Sequence, residues 1–285
     1  MAGTEVKVNL SPDCKEFLYM GTPPQGLHAR SFQTICQYYK GQPRYFTLYD
    51  TSSRVPVYSA YTFKRSDGSK KVDVPWMYEP QLSVVSGSRD MQLFPEEDIH
   101  RSFQDTQAVL DDYSDTVNYE RGQLNPDEHQ ADHDDKAATY TLTNVVPQVH
   151  DFSVGPWRDH SHTIRRRLNN YCYGHAYVVT GVTVSGLRIL RRNIRRVAVP
   201  AHLWSAYCCV HFDHNAPYEE RAKFPAFASY ARNQKENNEV QEMTVQEIED
   251  FLKRVTYVSK SFQIFYDNCA PSKDTLQFPL RMITK

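Results

Sequence analysis

The 285-residue chain has no apolar run long enough to cross a bilayer as a helix, which takes about 20 residues in succession. Its first ten residues, MAGTEVKVNL, contain no apolar h-region, so no secretory leader is expected within the chain. No Cys-x-x-Cys pair and no Cys/His spacing of a zinc finger occurs, which argues against a structural zinc site. There is no Gly/Ser-rich linker, low-complexity segment or internal repeat, and one domain over residues 1–285 is expected. Net charge is also lacking. The 33 Lys and Arg against 34 Asp and Glu leave −1, too little for the whole-molecule field to select or repel polyanions.

What is present suits a folded globular chain. Hydrophobic residues make up 40%, with 19 Tyr among them, enough for a substantial core at this length. Such tyrosines are more often core and sheet residues than a base-stacking surface. The near-neutral total hides a local asymmetry: residues 96–136 hold 13 acidic and 3 basic side chains, residues 156–196 hold 1 acidic and 9 basic. Six cysteines (Cys14, Cys36, Cys172, Cys208, Cys209, Cys269) form an even set. Composition leaves two readings open, buried thiols of an intracellular protein or one to three bridges of an exported one.

Residues 44–49, 55–63, 137–146, 177–184 and 206–212 are rich in β-branched and aromatic residues and read as strands. Helices are expected at 96–112, 156–171 and 244–254, the last opening with Thr244 and Glu247 at capping-box spacing. The elements alternate without a βαβ rhythm, so the fold class is α+β. In the segment 156–171, Pro156 suits the first helical turn. Trp157, Ser161, Ile164 and Leu168 then share one face, which reaches back to Ser153. His160 borders that stripe and His162 points away from it.

The informative stretch is Tyr119-Glu-Arg-Gly-Gln-Leu-Asn-Pro126, then Ala138-Thr-Tyr-Thr-Leu-Thr-Asn-Val-Val-Pro-Gln148, then Gly155-Pro-Trp157. It resembles the ββα-metal (His-Me) finger of the DNA/RNA non-specific endonucleases, here spanning residues 118–170. In that family an Asp-Arg-Gly-His strand, a strand ending in Thr-Asn-x-x-Pro-Gln and a helix opening near Asn-x-Gly-x-Trp build the site. Phe17-Leu-Tyr, Thr47-Leu-Tyr-Asp-Thr51, Glu79-Pro-Gln-Leu82, Leu203-Trp-Ser-Ala-Tyr-Cys-Cys209 and Phe262-Gln-Ile-Phe-Tyr-Asp-Asn-Cys269 resemble its endonuclease domain-containing 1 branch. The resemblance covers residues 14–270. It implies a central, twisted, mainly antiparallel sheet with the finger on one side and flanking helices.

The family chemistry needs a neutral His as general base, an Asn on the helix holding hydrated Mg²⁺, a Glu ordering a metal-bound water, and an Arg on the scissile phosphate. Carried onto this chain, the base position is Gln123, the metal position Ser153 and the carboxylate position Ser161. Arg121 alone is retained, and Glu120 replaces the family Asp. Relatives place an Arg just before the Trp of Trp-x-x-Glu-Pro; here Val74 and Pro75 precede Trp76. The resemblance therefore implies a nuclease fold without nuclease chemistry, used for binding nucleic acid, a protein or a small molecule, with no cofactor expected. The alternative is an active metal-dependent endonuclease with a rearranged site and Mg²⁺ as cofactor. An abundant extracellular protein without a specific partner is a third reading.

Other candidates belong with these. Arg188, Arg191, Arg192, Arg195 and Arg196 read equally as a nucleic-acid patch or as a face balancing the acidic stretch. His129 and His133, in the acidic loop, are expected to be solvated surface residues rather than replacement bases. A metal site recruited from His150, His160 and His162 is disfavoured, since i and i+2 on a helix do not face each other. Asp127, Glu128, Asp132, Asp134 and Asp135 are expected to repel a phosphodiester at the finger. The branch resembled looks exported, which implies disulfides, Cys14–Cys36 among them, and an extracellular location. Cys208 and Cys209 would then have different partners, because adjacent strand residues face opposite ways.

Overall fold

A computed structural model describes residues 10–69, 71–95, 101–114 and 116–270. Its strands are β1 (Phe32–Tyr39), β2 (Gln42–Asp50), β3 (Val55–Thr62), β4 (Met77–Tyr78), β5 (Gln92–Leu93), β6 (Tyr119–Gln123), β7 (Val145–Val149), β8 (Ala176–Arg191), β9 (Ile194–Cys209), β10 (Ala226–Arg232) and β11 (Gln241–Met243). The helices are α1 (Arg101–Thr106), α2 (Asp111–Ser114), α3 (His133–Ala138), α4 (His150–Ser153), α5 (Pro156–Tyr171), α6 (Tyr218–Arg221) and α7 (Val245–Val255). Seven strands form one sheet in the order β1-β2-β3-β8-β9-β10-β11, antiparallel throughout. The α+β class with a large antiparallel sheet is what the sequence indicates.

Period-two alternation makes this sheet a middle layer. Phe46, Tyr58, Trp204, Ala206 and Cys208 face a core closed by Ile248 and Leu252 of α7 and by Phe262 and Ile264. Their neighbours Tyr45, Tyr61, Tyr207 and Cys209 face the opposite side, packed with Ile164 and Leu168 of α5. Leu203 and Val182, also on that side, cluster with Leu124, Val145, Phe152 and Trp157 of the finger. The α7 start carries the full capping box, with Thr244 accepting from the Glu247 N–H at 3.2 Å and Glu247 accepting from the Thr244 N–H at 2.8 Å.

All six cysteines are bridged: Cys14–Cys36, Cys172–Cys209 and Cys208–Cys269. Adjacent Cys208 and Cys209 project to opposite faces and so tie the sheet to different layers. Denatured, unreduced protein from an oxidising host should show no titratable thiol with Ellman's reagent. A full complement of reactive thiols would overturn the bridging.

Two sequence expectations need correction. The strand read at 137–146 is the end of α3, a 3₁₀ turn at Leu142–Asn144 and only the start of β7. Its polar side chains bond locally to backbone and displace a ladder: Thr139 Oγ1 donates to Lys136 O at 2.7 Å, and Asn144 Nδ2 donates to Thr139 O at 2.9 Å. The helix read at 96–112 begins outside the described residues, and the remainder splits into α1 and α2. Asp112 contributes to that break by accepting from the Val109 N–H at 3.0 Å, three residues back.

Candidate functional site

The finger is built as its residues require. β6 and β7 pair antiparallel from Tyr119 opposite Val149 to Gln123 opposite Val145. A side chain at Gly122 would collide with the buried Gln148 side chain, which would have to move to admit it. The chain then enters α4 and α5, with Gly155 before Pro156 at the first position of α5. Phe152 and Trp157 pack ring to ring at 5.7 Å and anchor the helices beneath the two strands. Trp157, Ile164 and Leu168 are buried on the predicted face.

Gln123 closes β6, and both ends of its amide are taken. Nε2 donates to Thr139 O at 3.1 Å and to Thr139 Oγ1 at 3.0 Å, while Oε1 accepts from the Asp127 N–H at 3.3 Å. Gln123 and Ser161 meet at one small cavity, lined also by Leu124, His129, Trp157 and His160. Its volume is about 10 Å³, room for a single water at most. Ser153, half-buried as the last residue of α4, does not line it. Arg121 is exposed, its guanidinium 5.0 Å from the Trp76 ring.

His129 is not a surface residue. It is 4% exposed on a 3₁₀ turn, with Nε2 3.0 Å from Ser161 O and Nδ1 2.8 Å from the Tyr61 hydroxyl. A carbonyl only accepts, so Nε2 carries the proton and Nδ1 accepts from Tyr61. Burial pushes the His129 pKa down, so the ring stays neutral with its lone pair already engaged. His133 is exposed, as expected, beside Asp134. The remaining imidazoles disperse: His150 Nδ1 lies 2.5 Å from Glu120, His162 Nδ1 2.5 Å from Glu128, and His160 Nε2 2.6 Å from Ser229 Oγ. Among the described residues, no three His, Cys, Asp or Glu side chains converge as a metal site.

Burial pushes the His160 pKa down to about 4. An unfolded imidazole titrates near 6.5, so between these values the unfolded chain binds the extra proton. This contribution is complete above pH 6.5, declines as pH falls and is gone below about 4, on the order of 3 kcal/mol in all. Urea midpoints measured from pH 7 to 4 should fall less steeply in His160→Gln. Parallel curves would sink this assignment.

The five arginines of the basic run do not form one patch. Arg196 is 4% exposed and forks onto Asp112 at 2.8 and 3.0 Å. Arg191 Nε lies 3.5 Å from the same carboxylate, and Arg188 donates to Ser52 O and Arg196 O at 3.0 and 2.9 Å. Arg192 and Arg195 stay exposed at the β8–β9 turn. The acidic loop is likewise engaged internally. Asp134 meets Lys40 at 2.8 Å, Asp135 meets Arg44 at 3.0 Å, and Asp132 caps α3. Asp127 accepts from Tyr140 Oη at 2.8 Å, and Glu128 pairs with Arg165 at 3.4 Å. The repulsive field expected from the sequence is therefore weakened at close range. Asn144, which the sequence offered only within its Thr-Asn pair, is the hub of the loop. Its Oδ1 accepts from Ser59 Oγ and the Asn125 N–H, and its Nδ2 donates to Asn125 O and Thr139 O.

The model of the DNA/RNA non-specific endonuclease family matches residues 24–263. The Endonuclease domain-containing 1 protein of Homo sapiens is 36% identical over 202 residues, covering 69% of this chain and 39% of that protein. The protein of the same name from Mus musculus is 28% identical over 262 residues, covering 90% and 47%. The chain thus spans less than half the length of either relative. A chain from the crystal structure of the EndoG/EndoGI complex aligns with TM-score 0.49 and 18% identity, over 75% of this chain and 82% of that one. With the family model matched over most of its length, the chain belongs to the DNA/RNA non-specific endonuclease family.

Proposed function

We propose that this protein is an exported, catalytically inactive nuclease-fold protein that acts by binding. The carrying observation is the state of Gln123. An amide has no basic site at useful pH, and this one is tied to Thr139 and Asp127 beside a cavity with room for one water. The residues present do not fit Mg²⁺. The family holds that ion with an Asn amide oxygen and a Glu that orders its water, while Ser153 and Ser161 offer only short hydroxyls and Ser153 does not line the cavity.

Export is supported by the three bridges, which persist in oxidising compartments. No helix among the described residues is long and apolar enough to cross a membrane. For nucleic acid as the ligand, the supporting residues are Arg121 on the finger and Arg192 and Arg195 at the β8–β9 turn, where phosphate contacts remain open. The test of the proposal is cleavage: metal-dependent hydrolysis of plasmid DNA by the unmodified protein overturns it.

A further inference from the structure

Away from the finger, a polar cleft of about 390 Å³ lies between the N-terminal segment, β1 and the turn after β4, lined in part by Asp13, Gln33, Tyr38, Glu79 and Arg89. That volume falls within the usual range for small-molecule sites, about 300–1,000 Å³. Glu79 is fixed by a backbone clamp. Its N–H donates to Gln107 Oε1 at 3.0 Å, and its carbonyl accepts from Gln107 Nε2 at 2.8 Å. The side chain is thereby held in the cleft wall, 3% exposed. Its Oε1 is buried with no hydrogen-bond partner.

A buried carboxyl with an oxygen left without a donor is costly to ionise. Burial accordingly pushes its pKa well up, with Asp90 adding repulsion. Asp13 stands exposed on the rim, accepting from the Tyr38 hydroxyl, and the Cys14–Cys36 bridge ties that rim to β1. The cleft's own cation, Arg89, lies over the Tyr38 ring at 4.3 Å. Asp13 and Asp90 thus set two carboxylates against one guanidinium around the cleft, and Glu79 Oε1 lacks a donor.

We infer that this cleft binds a small organic cation, whose guanidinium or ammonium head donates to Glu79 while Asp13 faces it from the rim. The planar fork of a guanidinium suits a carboxylate best, through two parallel N–H···O bonds. The cleft shares no lining residue with the cavity at Gln123.

The experiment is calorimetric titration of the whole protein with agmatine, and in parallel with acetyl-Gly-Arg-Gly-amide. The first represents a free guanidine, the second a basic side chain of another protein. Saturable binding of either supports the site. Glu79→Gln should weaken binding at least tenfold, Asp13→Asn by less, and Arg89→Ala should tighten it by removing a like charge from the cleft. No binding of either probe at millimolar concentration overturns the inference. So does weaker binding by Arg89→Ala, which would mark an anion site. Near-UV circular dichroism checks that Glu79→Gln folds; if it does not, the Asp13 and Arg89 variants still decide.

Discussion

Purified protein supplied with Mg²⁺ or Mn²⁺ is expected to leave plasmid DNA and RNA uncut over times in which an active relative degrades them. A positioned general base is worth about 10²–10⁴ in rate, and metal charge stabilisation adds several kcal/mol. On the proposed assignment, Gln123, Ser153 and Ser161 forgo both together. Gln123→His alone should not restore cleavage, because a base without a bound cation leaves the departing oxygen unstabilised. It would also break the amide's bonds to Thr139 and Asp127. Ser153→Asn alone should fail for the converse reason. The triple variant with Ser161→Glu rebuilds base, ligand and carboxylate. Its new carboxylate must enter a cavity of about 10 Å³ beside buried His129 and His160, so recovery well short of an active relative is expected. EDTA-sensitive cleavage by the unmodified protein, lost in His129→Gln, would mean that the active site moved.

The finger was legible because its geometry is set by residues with few alternatives. Gly122 lies tight against the buried Gln148 side chain, Pro156 starts a helix, and Trp157 is buried. The sheet was legible where alternation is clean, as in Trp204 to Cys209, and the opposed cysteines followed from it. The loop between β6 and β7 was not. Its backbone is held by side-chain hydrogen bonds of Asn144, Thr139 and Asp132, whose partners are brought together only by the fold. That is why 137–146 read as a strand and His129 as solvated. Burial of His129 depends on Tyr61, which lies 68 positions away in sequence. Nothing local signals such a contact. The cleft at Glu79 was equally invisible, since its walls come from segments far apart in sequence, only two of them joined by Cys14–Cys36.

Asp112→Ala should destabilise the protein by about 3–5 kcal/mol, the usual cost of stranding one member of a buried ion pair. The basic run at 188–196 left two readings open, and the pairing of Arg196 with Asp112 now favours charge balance at two of its five arginines. Arg196 donates to both oxygens of Asp112, and its remaining donors reach Gln104 O at 2.5 Å and Gln107 O at 3.4 Å. Asp112 is 1% exposed and also accepts from the Val109 N–H. The pair thus pins the start of α2 to the β8–β9 hairpin and holds the acidic stretch beside the basic one. Arg196→Ala should cost somewhat less, because Arg191, 3.5 Å from the same carboxylate, remains as a second cation. The double variant should lose less than the sum of the single losses, since it strands neither charge. In thermal melts the single variants should fall by roughly 10 °C, taking 2–4 °C per kcal/mol for a domain of this size class. Salt separates the two readings of the run. If Arg196 serves the fold, Arg196→Ala lowers the melting temperature and leaves the salt slope of any DNA binding unchanged. If it served phosphate, the slope would drop by about one while stability held.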